Sequence, residues 1–250
     1  MPVERVFISD DQWEVLVPIS ARPRKGQYGR LRASEREVFE VILFVLHTGI
    51  QWKHLPRTFP PKSTVHDYLK AWSQSDVFRK IYAAIISNLI DQGRVSLDQC
   101  FIDATFAAAK GGGQCVGLTR KGKGTKLQLI VDQNGVPLAL SIDAASVGET
   151  SMVQQTLGLL EEESTPERLI EDKGYDSDAL DQTLAELGIE MIAPNRSNRS
   201  QTQDGRPLRR YRHRWIVERT IAWLGNHPRP LTRHENMPPS SPPSLPLAAS

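Results

Sequence analysis

The stretch VSLDQCFIDATFAAA, residues 95–109, decides the fold because it predicts a strand with a charged residue near its centre. β-branched and aromatic residues are frequent in it, and Phe101, Asp103 and Thr105 alternate onto one face of the predicted strand. An unpaired carboxylate inside a buried strand is unfavourable, so Asp103 requires a partner. Asp103 could cap a turn or bond to Thr105, or it could belong to a functional site.

The sequence that follows alternates between the patterns of strands and helices. A basic, glycine-rich loop at 110–124 comes first, and a hairpin with Asn134-Gly135 at its turn comes next. The remaining predicted elements are, in order, a helix at 149–162, a strand at 167–172, a helix near 177–187, a strand at 189–194 and a helix at 213–224. Three strands followed by alternating helices and strands predict an α/β fold with a mixed sheet flanked by helices. This is also the element order of a ribonuclease H-like domain.

Residues 1–92 instead show helical patterns that proline-containing turns separate. Ser34 and Glu37 have the spacing of a capping box before an apolar helix, and Gly49 is the expected end of that helix. Four basic residues surround the next turn: Lys53, His54, Arg57 and Lys62. Two interpretations stay open, a helix-turn-helix that reads DNA and a helical domain that only packs.

The basic residues are unevenly distributed along a chain whose formal net charge is only +2. Arginines are dense between residues 196 and 219, where the only acids are Asp204 and Glu218. Such a band fits either a polyanionic partner or a solvated loop.

The cysteines and the apolar segments bear on the cellular compartment. Cys100 and Cys115 form neither a disulfide framework nor a CxxC motif, which favours a reducing compartment. The N-terminus lacks the layout of a signal peptide, and the longest apolar run, 38–46, is too short and too acidic to span a bilayer. We therefore expect a soluble, cytoplasmic protein.

Two further acids share the apolar surroundings of Asp103. Asp172 ends the predicted strand at 167–172, and Glu218 lies within an apolar helix. Each has an ordinary explanation, since Glu218 could pair with Arg214 and Asp172 could pair with Lys173 in water. A divalent cation would satisfy all three acids at once, because hard oxygen ligands suit Mg²⁺ or Mn²⁺. Two such ions could promote an in-line phosphoryl transfer.

Three segments carry a resemblance to a known family. FIDATFAAAKGGG (101–113), EDKGYDS (171–177) and RWIVERTIAWLGN (214–226) resemble the three acidic motifs of bacterial insertion-sequence transposases of the DDE class, in the IS-five family. The separations between the acids also resemble those of the family, with 69 positions from Asp103 to Asp172 and 46 from Asp172 to Glu218. The segments at 8–19 and 42–72 resemble the helical domain that precedes the catalytic core in that family.

The resemblance implies a ribonuclease H-like core, two Mg²⁺ ions with Mn²⁺ as a substitute, and DNA cleavage and strand transfer at terminal inverted repeats. It also implies a homodimer on double-stranded DNA. Asp103, Asp172 and Glu218 match the three catalytic, metal-binding acids, and Gly174 and Tyr175 match the turn after the second acid. Basic residues expected to contact DNA are Lys110, Lys121, Lys123, Lys126, Arg196, Arg199, Arg209, Arg210, Arg214 and Arg219.

The chain is expected to divide into three parts. Residues 1–92 form a helical DNA-end recognition domain, 93–227 the ribonuclease H-like catalytic domain, and 228–250 a disordered tail rich in proline and serine. The tail departs from the helical sequence that usually continues in the family, which a frameshift near 226–237 would explain. Two alternatives to an active transposase stay open: a truncated, catalytically inactive DNA-binding remnant that occupies element ends, and a ribonuclease H-like nuclease that does not transpose.

Overall fold

The computed structural model describes residues 8–20, 32–160, 164–195, 211–228 and 232–233. The N-terminal part is helical, with α1 at Asp10–Ser20, α2 at Glu35–Thr48, α3 at Lys62–Gln74 and α4 at Val77–Asp91. A single 3-10 turn, Trp52–His54, lies between α2 and α3.

Local sequence signals explain the ends of the first two helices. The Ser9 hydroxyl accepts a hydrogen bond from the Gln12 N–H at 3.2 Å, and Gln12 Oε1 accepts one from the Ser9 N–H at 3.0 Å, which caps α1. Gly49 ends α2 with a left-handed φ of 67°, as predicted. The predicted capping box of α2 is wrong, because Ser34 occupies the N-cap position without a side-chain hydrogen bond. Acidic residues in the first turn of α2 complement its dipole instead.

An aromatic core holds the N-terminal helices together. Phe39 of α2 lies between Trp13 of α1 and Trp72 of α3, with ring centroids 6.1 Å apart in both pairs. The Trp72 indole N–H donates to the Ser20 carbonyl oxygen at 3.2 Å, so its buried polar group is satisfied. Full burial of apolar side chains of this size contributes about 1.5–3 kcal/mol each.

The rest of the described chain forms one mixed sheet with three helices. The strands are β1 at Cys100–Ala109, β2 at Gly117–Thr119, β3 at Gly122–Val131, β4 at Pro137–Ala144, β5 at Arg168–Ile170, β6 at Glu190–Ile192 and β7 at Thr232–Arg233. The helices are α5 at Glu149–Leu157, α6 at Asp178–Glu186 and α7 at Trp215–Leu224.

The strand order confirms the predicted fold class. The five principal strands lie in the order β4-β3-β1-β5-β6, with β3 antiparallel to both β1 and β4, and with β5 and β6 parallel to β1. The short strand β2 pairs with Gly122–Gly124 of β3, where β4 no longer pairs with it. This order and these directions are those of a ribonuclease H-like sheet.

Helices cover both faces of the sheet, so the central strand β1 is buried on both. Ile102 of β1 lies in a core that includes Val153 of α5 and Leu184 of α6. Phe101, one residue earlier, lies in a second core with Ile216 and Val217 of α7. Since side chains alternate along a strand, Asp103 points to the same face as Phe101, which is the face that α7 covers.

Two short strands lie where no strand was predicted. The predicted basic loop at 110–124 contains β2 and the start of β3, and a tight turn at Arg120-Lys121 joins them. Thr232–Arg233, which fall in the predicted tail, pair with Ala108 and Ala109 of β1. Both segments can form strands because β1 and β3 extend far enough to offer unpaired backbone groups at this end of the sheet. The predicted disorder of residues 229–231 and 234–250 falls outside the described residues.

Helix α4 belongs to both parts of the molecule. Its Ile81 is fully buried in the N-terminal core, whereas Ile86 lies in the core under the sheet. The Tyr82 hydroxyl, between them, donates a hydrogen bond to the carbonyl oxygen of Pro137, the first residue of β4. The predicted division of the chain after residue 92 therefore follows a helix that contacts both cores.

None of the helices in the described ranges is long and apolar enough to cross a membrane.

The two cysteines should differ strongly in reactivity. Cys100 is fully buried on β1, and burial, aided by the nearby Asp132 and Asp98 carboxylates, raises the pKa of its thiol. Because the thiolate is the reactive form, we expect a thiol reagent such as DTNB to modify the half-buried Cys115 in the native protein and Cys100 only after denaturation. Rapid labelling of a native Cys115→Ser variant would contradict this burial.

Candidate active site

The structure brings the three predicted acids together around one arginine. Nη2 of Arg214 lies 2.7 Å from Asp103 Oδ2 and 3.6 Å from Asp172 Oδ2, and Nη1 lies 2.6 Å from Glu218 Oε1. The acids come from a strand, from the segment after another strand and from a helix. Residues 111 positions apart in the chain thus share one hydrogen bond.

Strand register explains why the first two acids are neighbours. Phe101 of β1 pairs with Ile170 at the end of β5, and the two strands run parallel. Asp103, still within β1, and Asp172, just after β5, each lie two positions beyond that pair, so the two acids are neighbours. The sequence pattern placed Asp172 at a strand end, and the register of β5 against β1 places it beside Asp103.

Contacts with the β3–β4 turn fix the helix that carries the third acid. Arg219 Nη2 donates to the Asn134 carbonyl oxygen at 2.7 Å, and the Thr220 hydroxyl donates to the Gly135 carbonyl oxygen at 3.0 Å. Gly135 has a φ of +91°, and a Cβ there would lie 2.9 Å from Thr220 Oγ1. The turn glycine is thus required both by its backbone conformation and by the close approach of α7. The predicted Asn-Gly turn therefore also orients the helix of Glu218.

Burial and charge act in opposite directions on the cluster. Burial raises the pKa of Asp103, the Arg214 guanidinium and the Ala104 N–H lower it, and Glu149 and Asp172 raise it, with a net rise. Burial lowers the pKa of Arg214, but the three carboxylates more than offset this and raise it overall. The side chain of Asp103 is 17% exposed and that of Glu218 is 54% exposed, so the site is open on the side of α7.

The three acids fit a divalent metal ion by their donor chemistry. Carboxylate oxygens are the ligands that Mg²⁺ and Mn²⁺ prefer. As they stand, however, no three Asp, Glu, His or Cys side chains in the described part of the chain are close enough to hold one ion. The acids are arranged around a guanidinium group, which is wider than a metal ion. Asp103, Asp172 and Glu218 would hold the ion, and they would have to draw together to do so.

A buried polar network supports the segment after Asp172, and the sequence analysis missed it. Gln128 of β3 donates to the Tyr175 hydroxyl at 3.1 Å and to the Glu149 carbonyl oxygen at 2.9 Å, and it accepts from the Thr156 hydroxyl at 2.6 Å. The 3-10 turn Lys173–Tyr175 is thereby tied to the strand beside β1. The available signal was a glutamine between Leu127 and Leu129 of a buried strand, a place where an amide needs partners.

A fourth carboxylate, Glu149, lies near the acids at the start of α5 and was also missed. It contributes to the raised pKa of Asp103. Its Oε1 is 3.5 Å from Lys126 Nζ, and the same ammonium group donates to the Val147 carbonyl oxygen at 2.6 Å. Lys126, predicted to contact DNA, therefore neutralises an acid next to the site in this structure.

The other residues predicted to contact DNA occupy different surroundings. Lys110, Lys121 and Lys123 are exposed beside the β2–β3 hairpin. Arg219 contacts the β3–β4 turn and lies over the Trp215 ring, 5.0 Å from its centroid, instead of facing the acids. Four predicted residues lie outside the described ranges: Arg196, Arg199, Arg209 and Arg210. The DNA-binding role of all these residues stays a prediction.

A ribonuclease H-like sheet with three acids contributed by β1, the end of β5 and α7 defines a class of protein, the DDE polynucleotidyl transferases. Enzymes of this class cut and join DNA strands and depend on divalent metal ions.

Family models agree with this class. Residues 96–234 match the model of the "Transposase DDE domain", and residues 8–82 match that of the "Putative transposase of IS4/5 family". The chain belongs to the transposase DDE domain family.

Two relatives from Burkholderia cepacia match 45% of this chain each. One, "Insertion element IS402 uncharacterized 16.2 kDa protein", is 29% identical, and the chain covers 80% of it. The other, "Putative transposase for insertion sequence element IS402", is 33% identical, and the chain covers 54% of its length. A piggyBac transposase synaptic complex with hairpin DNA is 13% identical with a TM-score of 0.42, over 80% of this chain and 53% of that one. A TM-score this low does not establish a common fold, so the fold assignment depends on the strand order.

Glu171, the neighbour of Asp172, is an acid with no evident structural use. Its side chain is fully buried, and neither carboxyl oxygen has a hydrogen-bond partner among the described residues. Burial, aided by Asp181, raises the pKa of this carboxyl well above its ordinary value. A polar group in this position destabilises the fold.

Replacement of Glu171 by an apolar residue of similar length should stabilise the protein. We expect Glu171→Met to raise the free energy of unfolding by about 1–3 kcal/mol, the usual penalty for a buried, unpaired polar group. Urea denaturation followed by circular dichroism would measure it. The matched control is Glu14→Met on the exposed face of α1, which should change stability by less than about 0.5 kcal/mol. A destabilised Glu171→Met variant would show that the carboxyl has a partner.

Proposed function

We propose that this chain is an active transposase that cleaves DNA at the terminal inverted repeats of an insertion sequence and transfers the freed strand to a target. The single observation that supports this most strongly is the convergence of Asp103, Asp172 and Glu218 on one cation. Three acids from separate elements would repel one another at this distance unless a positive charge compensated them.

The acids would hold two Mg²⁺ ions, for which Mn²⁺ can substitute. Bound ions of this kind activate a water or 3′-hydroxyl and stabilise the leaving oxygen of an in-line displacement. Asp103 is fixed by the sheet, Asp172 by the turn that Gln128 and Tyr175 anchor, and Glu218 by the contacts of α7 with the β3–β4 turn. The chain therefore supplies oxygen ligands from three fixed elements, and the side chains would draw together from these supports to hold the ions.

The β2–β3 hairpin is the proposed phosphate-binding element beside the site. Its strand β3 pairs with Ala107 and Ala108 of β1, beyond Asp103 on the same strand. Exposed Lys121, in its turn, and Lys123, on β3, would contact the phosphates of a DNA strand that continued past the acids.

The remaining roles are proposed from the family. The N-terminal helices would recognise the element ends through exposed residues such as Lys53 and Arg57. Since both ends of an element must be held together, the active form would be a homodimer on double-stranded DNA. It would act in the bacterial cytoplasm, at the nucleoid.

Cleavage should depend on metal and on Asp172. We expect the intact protein to nick a labelled duplex that carries the element's terminal repeats when Mg²⁺ or Mn²⁺ is present at low salt. Asp172→Asn should cleave the duplex at least about 100-fold more slowly than the intact protein. Loss of a metal ligand should reduce activity by more than the loss of a residue that only hydrogen-bonds to a ligand. The measurement is product formed per unit time on a denaturing gel.

The control for that experiment is Asp178→Asn, the same substitution at an exposed position in the first turn of α6. It should cleave like the intact protein. DNA binding without cleavage by a folded intact protein would contradict the proposal and favour the catalytically inactive remnant. Cleavage of RNA–DNA hybrids without strand transfer would favour the ribonuclease H-like nuclease.

Two double variants should separate phosphate contact from sequence reading. Lys121→Ala/Lys123→Ala should weaken binding to every duplex alike and reduce the slope of log K against log[salt] by about 1.8, that is about 0.9 per lost phosphate contact. Lys53→Ala/Arg57→Ala should instead reduce the preference for terminal-repeat over scrambled DNA. Fluorescence anisotropy across a salt series measures both quantities. An unchanged preference in the second variant would leave the N-terminal helices with a packing role only.

A further inference from the structure

Arg214 has surroundings that a residue serving only to bind phosphate would not need. Its guanidinium group contacts Asp103, Asp172 and Glu218 at 2.7, 3.6 and 2.6 Å. All the hydrogen bonds and ion pairs that its side chain makes within the described ranges go to these acids, and its buried Nε has no hydrogen-bond partner there. The guanidinium group therefore faces the three acids, and within the described ranges it makes no hydrogen bond or ion pair with any other group.

The guanidinium occupies the space between the acids that a metal ion would enter. An Mg²⁺ ion binds carboxylate oxygens at about 2.0–2.1 Å. Nη2 of Arg214 is 2.7 Å from the Asp103 oxygen and is directed at Asp172 as well. A guanidinium and a metal ion cannot occupy the same space between these acids, and their like charges repel each other.

The side chain is also well placed to leave. Arg214 immediately precedes α7, four positions before Glu218, and the side chain of Glu218 is 54% exposed. A rotation about the side-chain bonds of Arg214 would carry the guanidinium toward the open side of the site while the helix stayed in place. There its planar fork could bind a phosphate of the DNA.

We propose that Arg214 is an internal cation that holds the three acids together before metal binds, and that it must be displaced for the metal to enter. This rests on the proposed function, since it takes the three acids as the metal site. Arg214 is thus a positioning residue for the metal-free protein, and its release links metal occupancy to DNA contact.

Metal affinity measured without DNA tests this directly. The experiment compares Mn²⁺ binding to the intact protein and to Arg214→Met, a substitution that removes the charge and keeps the aliphatic stem. Binding is measured as the loss of the electron paramagnetic resonance signal of free Mn²⁺. We expect the Kd for Mn²⁺ to fall about tenfold in the variant, since no ion pairs must then be broken before metal enters. In EDTA the melting temperature should fall, because the acids repel one another, and added Mn²⁺ should raise it by more than in the intact protein.

Two further variants complete the experiment. Arg168→Met removes another guanidinium that contacts two carboxylates, Glu190 at 3.0 Å and Glu167 at 3.2 Å, and should leave the Kd for Mn²⁺ unchanged. Arg214→Lys keeps the charge but not the fork, so it cannot contact all three acids, and its Kd should lie between those of the intact protein and of Arg214→Met. If Arg214→Met does not fold, the lysine variant carries the comparison.

The outcomes separate this inference from the proposed function. Adding Asp103→Asn to each variant identifies the Mn²⁺ that binds at the acids. An Asp103-dependent site with equal or weaker affinity in Arg214→Met would overturn the inference and leave the proposed metal site intact. The absence of any Asp103-dependent Mn²⁺ binding would overturn both.

Discussion

The structure depends on a strand that is buried on both faces and still carries a carboxylate. β1 pairs with β3 on one side and β5 on the other, and its alternate residues enter separate cores. The sequence of a strand that is buried on both faces is ordinarily a continuous run of apolar residues. The chain accommodates Asp103 because β5 stops early, at Ile170, and so exposes the flank of β1 next to the acid. Arg214 supplies the positive charge that compensates this acid.

The cluster around Arg214 is not an efficient way to stabilise a fold. Partly buried ion pairs lose much of their attraction to desolvation, and apolar residues of similar volume often stabilise a protein as well or better. Asp132 provides a contrast within the same sheet, since it is also buried but accepts hydrogen bonds from the backbone N–H groups of Ser96, Asn134 and Val136. Asp132 closes a turn with its hydrogen bonds, whereas Asp103, Asp172 and Glu218 contact the Arg214 guanidinium on the open side of the site. The difference in partners, more than burial itself, separates a structural carboxylate from one that is available for chemistry.

Much of the fold could be predicted from the sequence, because its signals are local. Period-two alternation marked β1, the Asn-Gly pair marked the turn between β3 and β4, and Gly49 marked the end of α2. The two strands that were missed, β2 and β7, have weak strand signals of their own. A three-residue strand containing a glycine and a two-residue strand shortly after Pro228 and Pro230 form only because a neighbouring strand offers backbone partners.

The candidate site was predictable in part for the same reason. Asp103 and Asp172 follow from strand position, and the resemblance to a family added Glu218. The ion pairs of Arg214 could be anticipated only with Glu218, four residues away, because its contacts with the other two acids are made across the fold. Gln128 left only a weak signal, an amide between two leucines of a buried strand, and Glu149 left none, since a polar residue at a helix start has many ordinary explanations. Their relation to the acids exists only once the sheet and α5 are assembled.

Helix α4 has a consequence for how such a chain can evolve. One end of the helix is built into the aromatic core of the N-terminal helices, and the other into the core beneath β4, with Tyr82 bonded to the first residue of that strand. A recombination event that exchanged the N-terminal helices for those of another protein would therefore have to preserve the face of α4 that the sheet contacts. Exchange of the helices without that face would remove Ile86 from the core beneath β4 and the Tyr82 hydrogen bond to Pro137.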